Sequence, residues 1–219
     1  MKAKFTIACL FSCLVFSGNV AGQQLQVTVK DAEGNVLNDA VIEIFLTDSE
    51  KAQYQNLSRQ VVDQRDKEFV PTVTVVTVGS DVNFPNSDDI LHHVYSFSPA
   101  KTFNIPLYGQ GENDNYQETF DQAGIVEIGC NIHDWMLAYI YVSETSLAAI
   151  SDESGIARIE SALEGEYEIR AWHPRASTED LTYSVSLSQT QTTTFEVTLE
   201  LQRDRRVRRA PGSSERRYR

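Results

Sequence analysis

Apolar residues in this chain recur at alternate positions, in runs too short for helices, and each run ends on residues that turn the backbone. Leu25, Val27 and Val29 alternate with polar neighbours, and Asp31-Ala32-Glu33-Gly34 then supplies a turn. Val41, Ile42, Ile44 and Phe45 resume an apolar segment. Val73, Val75, Val76 and Val78 form another, closed by Gly79-Ser80 and followed by Val82 and Phe84. Ile125-Val126-Glu127-Ile128 and Leu137-Ala138-Tyr139-Ile140-Tyr141-Val142 make two more. A period of two places alternate side chains on one face of an extended strand, so one face is buried and the other meets water. Short strands at this spacing, rich in β-branched and aromatic residues, predict an all-β sandwich or barrel. Only the polar stretch from Asp48 to Arg59 breaks the pattern, and it reads as a short helix or a linker.

A chain of 219 residues has room for one large β domain or two small ones. Its first residues read as an export signal. Lys2 and Lys4 supply the positive start, the apolar run from Phe5 to Phe16 is too short to span a bilayer, and Val20-Ala21-Gly22 offers small residues for cleavage. Residues 1–22 would then be removed in the periplasm, with no integral membrane segment left. Leu10-Phe11-Ser12-Cys13 faintly resembles a lipoprotein box, but the apolar run continues past Cys13.

Removal of the signal takes Cys9 and Cys13 with it and leaves Cys130 alone. A lone thiol in an oxidising compartment is oxidised unless it is buried or bound to metal. Charge falls into two blocks. The chain carries a net −12, yet residues 203–219 hold eight Arg against Asp204 and Glu215, so the body before them is more acidic than the whole. An acidic body excludes nucleic acid as a partner, since phosphate contacts need clustered Lys and Arg. The basic tail, 202–219, has no apolar periodicity and is predicted to be disordered, lending solubility or contacting an acidic surface.

Chemistry concentrates in Gly129-Cys130-Asn131-Ile132-His133-Asp134-Trp135-Met136, a short segment between two strand signals. C-x-x-H-x-x-M combines thiolate, imidazole and thioether. Thiolate and thioether favour copper(I), and imidazole suits both copper oxidation states. Zinc more often takes paired Cys or carboxylates in a tetrahedron. Loop ligands alone leave such a site one histidine short, and His92-His93 in Gly79-Ser-Asp-Val-Asn-Phe84-Pro-Asn-Ser-Asp-Asp-Ile-Leu-His92-His93-Val94 offers it.

The string G-x-x-V-x-F-x-N followed by H-x-V resembles the strand and loop that deliver the first copper histidine in plastocyanins and related cupredoxins. Cys130 to Val142 is similar to their second ligand loop and last strand. The resemblance covers roughly residues 58–143. Within it H-H-V-Y-S-F-S and C-N-I-H-D-W-M are closest to bacterial proteins labelled methylamine-utilisation or plastocyanin-like. It implies a cupredoxin Greek-key β-sandwich holding one type 1 copper ion between His92, Cys130, His133 and Met136, with Met136 axial. His93 falls where those families usually carry an Asn that braces the ligand loop. His133 stands closer in sequence to Met136 than in typical plastocyanins. By the same resemblance His133 is the electron exit, with Ile132 and Trp135 beside it, Trp135 serving either as a docking anchor or as a lid over the loop.

Leu25 to Leu46, with Ile150 to Gly155, Leu163 to Ile169 and the strands through Leu201, resemble the opening and close of a carboxypeptidase regulatory-like, transthyretin-like sandwich. The implied organisation is 23–48 plus 144–201 for that sandwich, with a copper domain at 49–143 inserted into it. No G-x-S-x-G elbow, H-E-x-x-H pair or phosphate-binding Gly loop is present, and the four histidines cannot supply a second copper. The expected function is therefore single-electron transport for a redox partner protein, not catalysis. Copper delivery in the periplasm and a noncatalytic β-sandwich interaction module are the alternatives.

Overall fold

The computed structural model describes residues 23–111, 116–178 and 181–204. The expected export signal at 1–22 and the basic tail beyond residue 204 lie outside the described residues.

The chain enters through β1 (Gln23–Asp31) and β2 (Val41–Ile44). The polar stretch that follows forms one helical turn, Asp48–Lys51, where the Thr47 N–H donates to Glu50 Oε2 at 2.9 Å. A 3-10 turn, Ala52–Tyr54, continues it. Next come β3 (Arg59–Val61), β4 (Asp63–Arg65), β5 (Glu68–Val70), β6 (Val73–Thr77) and β7 (Ser80–Asn83). Then follow β8 (His92–Ser98), β9 (Lys101–Tyr108), β10 (Gln117–Phe120), β11 (Gly124–Cys130) and β12 (His133–Ser143). The last five are β13 (Ala148–Ile150), β14 (Ile156–Ser161), β15 (Gly165–Trp172), β16 (Leu181–Leu187) and β17 (Thr193–Leu199). The fold is all-β, as the alternation predicts.

Four sheets stack around two cores. The order β14-β1-β17 faces β13-β2-β15-β16 across Leu25, Val27, Val29, Ile42, Ile44 and Ile169 with their neighbours. The order β6-β12-β11-β8-β9 faces β10-β7-β3 across a second cluster that includes Val82, Phe84, Phe120, Ile128 and Ile140. The alternate residues that set the strand reading point inward: Val27, Val29, Val82 and Phe84 are fully buried.

Two strands depart from simple alternation. All four residues of β2 are buried, and so is β12 from Ala138 to Ser143. Their second faces meet each other. Val41, Val73, Tyr139, Tyr141 and Trp172 form a third cluster between the two inner sheets, with Trp172 at 5.6 Å from Tyr139 and 5.7 Å from Tyr141 between ring centroids. Burial of a strand on both faces replaces alternation by a continuous apolar run. Aromatic pairs of this kind add about 0.5–1.5 kcal/mol beyond the area they bury.

One carboxylate lies inside this contact. Glu43 is 6% exposed, and it accepts the Tyr141 hydroxyl on Oε2 and the Ser143 hydroxyl on Oε1, each at 2.6 Å. Burial first, then the neighbouring Glu43, push the Tyr141 phenol well above its ordinary range, so it stays a donor. Among the described residues, no helix is long and apolar enough to cross a membrane.

Glu43→Ala should take the carboxylate acceptor from the buried Tyr141 hydroxyl, while Ser143 keeps the Thr145 carbonyl, and lower stability by about 1–3 kcal/mol, the cost of one unsatisfied buried group. A urea midpoint unchanged from wild type would show that the carboxylate is not needed to join the two sandwiches.

Candidate metal centre

His92 opens β8, Cys130 closes β11 and His133 opens β12, so three strand ends of one sheet supply the three side chains. Pairing is irregular at each of them. Between β11 and β12 the register jumps from Gly129↔Leu137 to Cys130↔His133, which leaves Asp134, Trp135 and Met136 without opposite partners. Between β8 and β9 it shifts from Val94↔Ile105 to His92↔Tyr108. Bulges bend a strand and re-aim its side chains. Gly129, just before Cys130, leaves room for an aromatic neighbour, because a Cβ there would lie 3.2 Å from the ring of Tyr95, its partner on β8.

The donor atoms of His92, Cys130 and His133 lie within 4.8 Å of one another. Cys130 Sγ is 3.7 Å from His133 Nδ1, and the two imidazole centroids are 4.9 Å apart. His92 is fully buried, Cys130 is 3% exposed and His133 is half-buried. His92 Nδ1 makes no hydrogen bond although it is buried. A buried polar atom without a partner is costly, and nearly all such atoms in native proteins are satisfied. Its Nε2 lies 2.7 Å from Asp88 Oδ2.

Electrostatics favour the ligand form of the cysteine. Burial alone would raise the Cys130 thiol, but the adjacent His92 and the backbone N–H groups of His93 and Ile132 outweigh it and draw the thiol below its ordinary range. Burial opposes charge on His92, yet the Cys130 sulfur and the Asp88 carboxylate hold its pKa above the usual imidazole value. Burial, followed by the charge of His92, holds His133 below that value. The thiolate, not the thiol, binds metal.

The remaining sequence-expected residues fall as follows. Met136 is 2% exposed, shares the core cluster of Cys130 and lines the same cleft. That cleft, of about 770 Å3, also touches Tyr95, Phe97, Glu127 and Asp134. His93 stands outside the triangle. Its Nε2 is 2.6 Å from Asn104 Oδ1, and its ring lies 5.3 Å from that of Tyr95. The ligand loop is braced by Asn86, whose Nδ2 donates to the Ile90 and Tyr108 carbonyls at 2.9 Å and whose Oδ1 accepts the Asp88 N–H at 2.9 Å. Trp135 is half-buried against the core, donates Nε1–H to the Lys67 carbonyl at 3.0 Å and lies 5.4 Å from the His133 ring. These contacts match a lid. Ile132 is exposed.

Sequence reasoning missed Asp88. The spacing of a carboxylate four residues before a histidine was there to read, but Asp88 and Asp89 sit together in a polar loop of an acidic chain.

No protein-family model matches the chain, and no curated protein matches it. Parts of it resemble solved copper proteins. A Cu-containing nitrite reductase from Thermus scotoductus SA-01 is 25% identical over 46% of this chain, with a TM-score of 0.37; the match spans 27% of the reductase. A purple cupredoxin from Nitrosopumilus maritimus is 21% identical over 39% of this chain and 100% of its own, with a TM-score of 0.33. A reduced Cu(I) form of an amicyanin variant is 22% identical over 48% of this chain and 100% of its own, with a TM-score of 0.35.

Proposed function

We propose that this chain is an exported cupredoxin that holds one type 1 copper ion and carries single electrons for a redox partner protein in the periplasm. The observation that carries this reading is the largely buried triangle of His92, Cys130 and His133, with His92 Nδ1 buried and without a hydrogen-bond partner. His92, Cys130 and His133 would hold the metal, with Met136 as a weaker fourth ligand. Two imidazoles and one thiolate with a weak thioether fit copper in either oxidation state better than they fit zinc. Copper there supplies a one-electron couple.

The chain's own residues do the rest. The sheet fixes each ligand at a strand end, so the ligand set needs little rearrangement when charge changes. Cys130 is kept from solvent, and Trp135 covers the edge of His133, with its indole tied to Lys67. His133, half-buried beside exposed Ile132, is the most exposed of the four residues and on this reading the way out for an electron. No open position for a substrate is part of this reading, and the chain is not an enzyme in it. Residues 23–48 with 144–201 form the bracing carboxypeptidase regulatory-like sandwich, and 49–143 the copper domain, a division supported by the two separate cores.

The cleft beside Cys130 and Met136 favours a second reading, copper delivery, in which an acceptor's ligands enter from that side. The 3% exposure of Cys130 weighs for electron transport instead.

The full chain should bind about one copper and, oxidised, show the intense thiolate-to-copper absorption of such sites, which Cys130→Ser abolishes. Absorption that survives in the variant removes the reading. A reversible one-electron wave, with slow loss of copper to a chelator, separates transport from delivery. In metal titrations His92→Ala should weaken binding by about 100-fold or more, at least the loss expected for an outer-shell partner. His93→Ala should stay near wild type, and the reverse order would assign the wrong ring.

A further inference from the structure

Asp88 has a contact that the ligand set alone does not use. Its Oδ2 meets His92 Nε2 at 2.7 Å, and its side chain is only 13% exposed. The turn between β4 and β5 fixes that carboxylate: the Asp66 N–H donates to Oδ1 at 2.7 Å and the Lys67 N–H to Oδ2 at 2.9 Å. Asp66 and Lys67 both have positive φ, 55° and 60°, as a tight two-residue hairpin turn requires. The Lys67 carbonyl, on the same turn, accepts the Trp135 indole that lies against His133. A single turn thus holds one neighbour of each candidate ligand histidine.

A neutral imidazole has one N–H, and the hydrogen bond made by one nitrogen decides which nitrogen keeps the proton. A carboxylate accepts only. Facing Asp88, Nε2 therefore keeps its proton and Nδ1 keeps its lone pair. Nδ1 is also buried and without a hydrogen-bond partner. Bracing the loop does not require the carboxylate, because Asn86 already takes the Asp88 N–H and holds the Ile90 and Tyr108 carbonyls.

We propose that Asp88, set in place by the Asp66-Lys67 turn, is a positioning residue that fixes His92 as its Nε2–H tautomer and so presents Nδ1 to the metal. This rests on reading His92 as a ligand. Asp88→Ala removes the acceptor facing Nε2 and, with it, the bias between the two ring nitrogens.

The test has one arm without metal and one with it. In metal-free full-length Cys130→Ser protein, where no thiolate competes for the ring proton, long-range 1H–15N correlations at alkaline pH report the His92 tautomer. Nε2–H is expected, and Nδ1–H overturns the proposal. Adding Asp88→Ala should bring up an Nδ1–H signal, whereas exposed Asp89→Ala should not; an unchanged, pure Nε2–H signal overturns the proposal. If Asp88→Ala does not fold, the tautomer measured with Asp88 intact still decides.

In the chain with Cys130 intact, Asp88→Ala should lower copper(I) affinity by about 10–100-fold, the range for lost outer-shell partners, while the oxidised form keeps its thiolate absorption. Unchanged affinity overturns the proposal. If the unsubstituted chain binds no copper, the copper reading fails, and the metal-free tautomer still answers for Asp88.

Discussion

Burial of β12 on both faces is the constraint on which the rest of the structure depends. One face, with Met136, Ala138, Ile140 and Val142, belongs to the core that holds Cys130. The other, with Tyr139, Tyr141 and Ser143, meets Trp172 and Glu43 of the neighbouring sandwich. A strand held from both sides cannot slip by one residue, because a slip would exchange its two faces and put Tyr141 into one core and Ile140 against Glu43. Its first residues therefore start from a fixed place. His133, Trp135 and Met136 are those residues.

Regular pairing ends where the chemistry begins. Both register shifts of the central sheet fall at candidate ligands, one beside Cys130 and one beside His92. Side chains beside these shifts are held by nearby turns: Trp135 by Lys67, Asp88 by Asp66 and Lys67, and Asn86 by the loop itself. Of the buried polar atoms left without a partner, His93 Nδ1 among them, His92 Nδ1 alone belongs to the Cys130–His133 triangle, and the two observations together say more than closeness, since close histidines also occur where they merely pack.

The strands were legible because alternation is local: Val27, Val29, Val82 and Phe84 each lie inward as their positions require. The ligand triangle was legible for a different reason. Cys130 and His133 are neighbours on one loop, and His92 lies at the start of a strand whose inward set is His92, Val94 and Ser96. His93 is its outward neighbour. What escaped was long-range. Glu43 looks like the polar member of an alternating strand and is buried only because a second sheet covers it. Asp88 acquires meaning from Lys67 and Asp66, which come from a hairpin whose turn lacks the usual Asn-Gly signature. No window of neighbouring residues contains either fact.

The second sandwich is close enough to matter to the centre. Tyr139, in contact with Trp172, is on the same strand as Met136 and on the face opposite to it. Packed interiors transmit small displacements rather than absorbing them, because they hold few voids. A shift of Trp172 or a break at Glu43 would therefore reach Met136 through one short piece of extended backbone, while His92, on β8 with β11 between it and β12, would feel it least. On the proposed reading the neighbouring sandwich would act on Met136 more than on His92, and so would reach the metal centre through β12.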